Sequence, residues 1–263
     1  MEITFKDYEY KNQKLSFTIK EKDINGITGN HLDDFISLMR LDNFYQKGIL
    51  VNKKELKEKD YLQLKKKISL VKERIDNDIH EETIEELMID YMKYHEVYPK
   101  KLQKKLKDAL KIVGLEESLL KRNIYRTSSS EQKLIQIALE LLLNPEVIIL
   151  EEPLRVLDMK NRKKIMMVLN RIKEEYQKAI IIVSSDPEIL YKETNHLIIF
   201  KNDKILMEKE TAKVYQDVEF LRKHKIDMPE IVEFTYLAKK NKKAKIDYFR
   251  DIRDLIKDIY KHV

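Results

Sequence analysis

The sequence predicts an α/β protein: a mixed sheet with parallel strands, a helical subdomain and a small antiparallel β part. Three observations point there. Two apolar, β-branched runs of strand length, "EVIILEEP" and "AIIIVSSDP", flank a charged helical stretch over about 160–176, the pattern of parallel strands buried on both faces. The N-terminal stretch alternates at period two, with Ile3, Phe5, Leu15, Phe17 and Ile19 apolar. Residues 81–121 hold a single glycine, Gly114, and repeat apolar positions at helical spacing.

In chain order, the first strands lead through "INGITGN" into "HLDDFISLMRL", where Leu32, Phe35, Ile36, Leu38 and Met39 mark a helix. "GILVNKKEL" gives a short strand and a turn. Helical spacing resumes at Ile84, Leu87, Met88 and Tyr91, and again at Leu102, Leu106, Leu110 and Val113. "SEQKLIQIALELLL" starts at serines suited to an N-cap and stops at Asn144-Pro145. Beyond the two buried strands, "HLIIFKNDKILM" reads as a hairpin-like pair, and Thr211 to Val263 as a Lys-rich helical tail broken at Pro229. The expected division is a core of residues 1–80 and 131–210, a helical subdomain of 81–130 and a tail of 211–263.

Composition narrows the function. At 263 residues and 43% hydrophobic the chain buries a large core, and no apolar run reaches the roughly 18 residues of a membrane span. Neither a signal peptide nor a transmembrane helix is expected. The absence of cysteine excludes disulfides, thiol nucleophiles and thiolate metal sites, and suits a cytoplasmic chain. The net charge of +6 is a small remainder of 52 basic and 46 acidic residues that intermingle, so solvated helix faces are expected and no nucleic-acid partner. Four glycines, where average usage gives roughly 18, leave little for a glycine-rich phosphate cradle. His31, His80, His95, His196, His224 and His262 show no paired spacing, so no metal site is expected.

The succession "SSSEQKLIQIALELLLNPEVIILEEPLRVLD" and "IIIVSSD" resembles the ATP-binding cassette of ABC transporters. Thr127, Ser128, Ser129, Ser130 and Glu131 stand at the signature loop, Glu151-Glu152-Pro153 at the Walker B end, Leu157-Asp158 at the D-loop, and Ser185 at the switch histidine. "MEITFKDYEYK", "ISLVKERIDNDIHEETIEEL" and "ETAKVYQDVEFLRKHKIDMPEIVEFTYL" make the resemblance closest to the ATPase subunits of energy-coupling factor transporters, the cobalt and vitamin uptake type. The implied fold is an ABC-type P-loop NTPase core.

The resemblance also implies impaired chemistry. A phosphate loop works through backbone N–H groups, a lysine on the phosphates and a hydroxyl on magnesium. In "GNHLDDFISL" only Gly29 of that set remains; Asp34 stands at the second glycine, Phe35 at the lysine and Ile36 at the hydroxyl. Asp33 and Asp34 would face phosphate, and a like-charge pair at about 4 Å costs about 4 kcal/mol at an effective dielectric of about 20. Glu73 replaces the Q-loop glutamine, Glu151 the Walker B aspartate and Ser185 the histidine, while Glu152 keeps the general-base position as a relic. Tyr10, with Tyr8 beside it, stands where the family stacks adenine, or simply packs.

By this resemblance the chain would be a catalytically impaired subunit that pairs with a competent ATPase subunit, more economically as a heterodimer, and docks on a transmembrane coupling subunit at the cytoplasmic face of the membrane. Its signature segment would close on the partner's nucleotide. Mg-ATP enters as cofactor only if the partner site or an atypical pose supplies it. Two other readings stay open: an atypical but active ATP-hydrolysing subunit, and a free-standing scaffold or regulatory protein with this fold.

Overall fold

The computed structural model describes the whole chain except residues 44, 74–82, 156, 243–245 and 262–263. His80, His262 and residues 74–82 of the stretch that the resemblance sets at the Q-loop therefore lie outside the described residues. Strands β1 (Ile3–Tyr10), β2 (Gln13–Ile19) and β3 (Ile24–Gly29) lead into α1 (Leu32–Met39), and β4 (Ile49–Val51) and β5 (Lys54–Glu55) form the expected strand and turn. Then come α2 (Glu58–Lys65), β6 (Ile68–Val71), α3 (Ile84–Tyr94), α4 (Leu102–Ile112) and α5 (Ser129–Leu142). The second half runs β7 (Val147–Glu151), α6 (Met159–Tyr176), β8 (Ala179–Val183), α7 (Pro187–Glu193), β9 (His196–Lys201) and β10 (Lys204–Glu210). The tail is α8 (Thr211–Gln216), α9 (Val218–Lys223), α10 (Glu230–Lys242) and α11 (Ile252–Lys261).

Two sheets result. One is antiparallel in the order β2-β1-β4-β5; the other runs β10-β9-β3-β8-β7-β6. In the second, β9, β3, β8, β7 and β6 are parallel and β10 pairs antiparallel on the edge. The mixed sheet and small antiparallel part are those the sequence predicts. Central strand β8 is buried at every residue, which is why it reads as an unbroken Ala-Ile-Ile-Ile-Val run.

Alternation divides the core. Ile148, Leu150, Ile180 and Ile182 face the helices on one side, while Val147, Ile149, Ile181 and Val183 face the antiparallel sheet on the other. Helix α1 lies in this second layer with Phe35, Ile36, Leu38 and Met39 buried. The expected serine cap is present, Ser128 and Glu131 forming a reciprocal capping box on α5; Thr83 and Glu86, a cap the sequence reading did not name, do the same on α3. After α5 the chain turns through Asn144, at φ 52°. Pro229 immediately precedes α10.

Candidate functional site

Three chain reversals meet at the start of α1. Gly29 ends β3 at φ +138°, where a Cβ would stand 1.6 Å from the carbonyl oxygen of Phe200. The next N–H, of Asn30, donates to that same oxygen at 3.1 Å. The Asn30 side chain exchanges two hydrogen bonds with Asn202, at 3.1 and 2.9 Å, fastening the connection to the turn between β9 and β10. From the third reversal, between β1 and β2, the Lys11 ammonium reaches Asp34 at 2.5 Å and Asp203 at 3.5 Å.

Electrostatics explains why this closes. A helix N-terminus carries partial positive charge and accepts an anion. Here Asp33 and Asp34 supply that charge in the first turn of α1, and Lys11 balances Asp34 in turn. The Lys11 hydrogen bond holds the Asp34 carboxyl below its usual range, and Asp34 holds Lys11 above the usual lysine range. The interactions a phosphate would make are made within the chain.

Beneath them lies an aromatic stack. Phe35 is fully buried and lies on Phe200 at 4.2 Å between ring centres and 9° between planes, with Phe17 at 5.0 Å. Tyr10 meets Phe200 edge-on at 6.2 Å, with Lys11 at 5.2 Å over its own ring. Tyr10 and Tyr8 are both buried, and burial pushes the Tyr10 phenol up. Neither tyrosine offers an open face to a base, so packing describes both. Ile36 joins the same core.

A second group gathers at the ends of β7 and β8. Glu152, at φ +40°, accepts hydrogen bonds from the Ser184 hydroxyl at 2.8 Å and from the Ser185 N–H and hydroxyl at 2.6 and 2.8 Å. Both carboxylate oxygens are engaged, so Glu152 and the Ser184-Ser185 strand end fasten each other. Glu73 meets Arg155 at 3.5 Å. Lys133, which sequence reasoning missed, buries its ammonium between the carbonyls of Lys72 and Glu73 at 2.7 and 2.8 Å, within the field of Glu73 and Glu151. Its signal was periodicity: Lys133 falls three residues after Ser130 and four before Ile137, on the buried face of α5.

Desolvation pulls Lys133 down to about 8, and the carboxylates oppose it only in part. A depressed lysine binds fewer protons folded than unfolded, so stability rises with pH between about 8 and 10.5. Unfolding free energy measured in urea is expected to gain about 2 kcal/mol from this group between pH 7 and pH 9.5. Lys133→Met should remove that rise; an unchanged slope in the variant would show that Lys133 does not titrate in this range.

The residues that the resemblance sets at the signature and D-loop are held by local hydrogen bonds. Ser128 hydrogen-bonds Glu131 through its backbone and hydroxyl, which holds the Glu131 carboxyl below its usual range. The Thr127 hydroxyl donates to the Ile124 carbonyl at 2.5 Å, Ser129 is exposed and Ser130 buried. Asp158 caps α6 through the Asn161 N–H at 2.8 Å.

Comparison with known proteins fits this layout. The ABC transporter family profile matches residues 35–155. The energy-coupling factor transporter ATP-binding protein EcfA2 of Enterococcus faecalis is 27% identical over 180 residues, 68% of this chain and 62% of that protein. The matched stretch thus spans about three-fifths of that relative's length. CbiO1 of Clostridium perfringens, part of the ABC transporter complex CbiONQ, superposes with a TM-score of 0.69 at 22% identity, over 89% of this chain and 98% of that one. A dimeric ATP-binding cassette in a post-hydrolysis state with ADP and Pi gives 0.61 at 20% identity, over 80% and 98%.

Proposed function

The chain has the fold of an ABC ATPase cassette and the matching family profile, and on that premise we propose that it is a non-catalytic cassette subunit of an energy-coupling factor type importer. It pairs with a second, competent cassette and sits at the cytoplasmic face of the membrane on a transmembrane subunit. No helix among the described residues is long and apolar enough to cross a membrane, so attachment would run through that subunit. One observation carries the reading: Lys11, Asp34 and Asp203 over the Phe35–Phe200 stack fill the place where the resemblance puts phosphate.

The capping box supports a remaining role for the signature segment. It leaves Ser129 exposed at the positive end of α5, able to face a nucleotide held by the other cassette. The composite site is tested on the complex purified through a tag on this chain. One ATP is expected per cassette pair, and Ser129→Trp, which spares the Ser128–Glu131 cap, should lower turnover about tenfold or more with assembly intact. Two ATP per pair, or unchanged turnover, would sink this reading.

A further inference from the structure

Helix α11 uses only part of its apolar side on its own chain. Ile252, Leu255, Ile256, Ile259 and Tyr260 repeat at helical spacing on one side, and Arg253, Asp254, Lys257 and Asp258 fall on the other. One edge of the apolar side meets the chain: Leu255 is buried and Ile259 half-buried, and Asp258 beside them accepts the Asp247 N–H at 3.1 Å. Ile252, Ile256 and Tyr260 stay 63%, 44% and 78% exposed. They stand four residues apart, so they form a single ridge of the kind that packs into the groove of a second helix. A bilayer surface takes a broad apolar face, and α11 turns the rest of its face inward.

The ridge is presented in a fixed position. The Lys239 ammonium donates to the Ile246 carbonyl at 2.9 Å, and the Arg250 guanidinium lies 5.7 Å from the centre of the Tyr191 ring, so the segment entering α11 is fastened to α10 and α7. Docking on a preordered helix loses little conformational freedom. Charge gives the surface a sign. Residues 239–261 carry nine basic and four acidic side chains, most of the surplus behind the chain's net charge of +6. Next to the exposed ridge runs a basic one, Arg253 and Lys257. Arg253 pairs with Asp251 at 2.6 Å and Lys257 with Asp254 at 3.2 Å, but both cations are largely exposed, and surface pairs of this kind are weak enough to yield to an incoming carboxylate.

We infer that the outer ridge of α11 docks an amphipathic helix of a soluble protein partner whose apolar groove is edged by carboxylates. The inference stands independently of the importer reading. A second copy of this chain fits less well: antiparallel pairing sets Arg253 and Lys257 against their like, and parallel pairing needs the acidic edge, where Asp258 is bound to the Asp247 N–H.

The test uses the full chain and two labelled helical peptides with the same Leu/Ala face, edged by glutamates in one and by lysines in the other. Fluorescence anisotropy should show the glutamate peptide binding at least about tenfold tighter. Ile256→Asp should abolish that binding, with Ile252→Ser as a milder second variant, and the double variant Arg253→Glu, Lys257→Glu should reverse the preference. Melting temperatures should stay unchanged, because these side chains are exposed. Hydrogen exchange should slow over residues 252–260 with the glutamate peptide. Equal affinities, binding of neither peptide, a preference unchanged in the double variant, or protection elsewhere would overturn the inference. So would flotation with phosphatidylglycerol vesicles that Ile256→Asp abolishes, which would assign the ridge to lipid, or a dimer that Ile256→Asp dissolves, which would assign it to a second copy.

Discussion

Phe35→Lys, which restores the residue type that the resembling family places on the phosphates, is expected to destabilise the chain by at least about 4 kcal/mol and to give no nucleotide binding. The aromatic ring is fully buried and stacked on Phe200. Removing a buried phenylalanine costs about 3–5 kcal/mol, and placing an ammonium in the same apolar layer adds desolvation. Against a typical total of roughly 5–15 kcal/mol, this is most of the margin. Urea unfolding measures it. A stable variant that gained Mg·ATP binding would mean that the loop is a dormant phosphate loop, not a piece of core.

Gly29→Ala is expected to be similarly severe, on the order of 3–5 kcal/mol or failure to fold. The added Cβ would lie 1.6 Å from the Phe200 carbonyl oxygen, a backbone atom that also accepts the Asn30 N–H. Gly29 pairs with Phe200 in the register of β3 and β9, so relief requires parting two central strands. Gly26→Ala is the internal comparison. Its Cβ would meet side chains, Thr194 at 2.9 and 3.0 Å and Leu197 at 3.0 Å, and not a backbone atom at 1.6 Å, so a smaller loss is expected. Equal loss of melting temperature in both variants would contradict the assignment of the clash to Phe200.

The fold was largely legible because its signals are local. The Ala-Ile-Ile-Ile-Val run of β8, the period-two positions of β1 and β2 and the serine cap of α5 each announce their element within a few residues. The residues that the resemblance sets against a phosphate loop are contiguous in "GNHLDDFISL" and so could be compared from sequence alone. The groups that gather around them could not. Lys11 meets a carboxylate 23 residues away and another 192 residues away, and the Phe35–Phe200 stack joins α1 to a strand from the far half of the chain. Such pairings depend on strand order, which no local pattern states. Lys133 lay between these cases: the periodicity placed it on a buried face, and only the packing of α5 on the end of β6 revealed the two carbonyls that receive it. Glu152 reads from sequence as an intact general base, yet its three donors come from the adjacent strand end.

At the start of α1 the chain supplies to itself the kinds of group that a bound nucleotide would meet. Anion, cation and aromatic surface are all present at the start of α1, but each is satisfied within the chain, and a nucleotide would have to displace the Lys11–Asp34 pair and face Asp33 as well. The most direct measurement is calorimetric titration of the purified chain with Mg·ATP up to millimolar concentration. No binding heat is expected. A saturable isotherm with a Kd near about 1 µM, roughly −8 kcal/mol of binding free energy, would contradict the filled-site assignment and make this chain an active, atypical cassette.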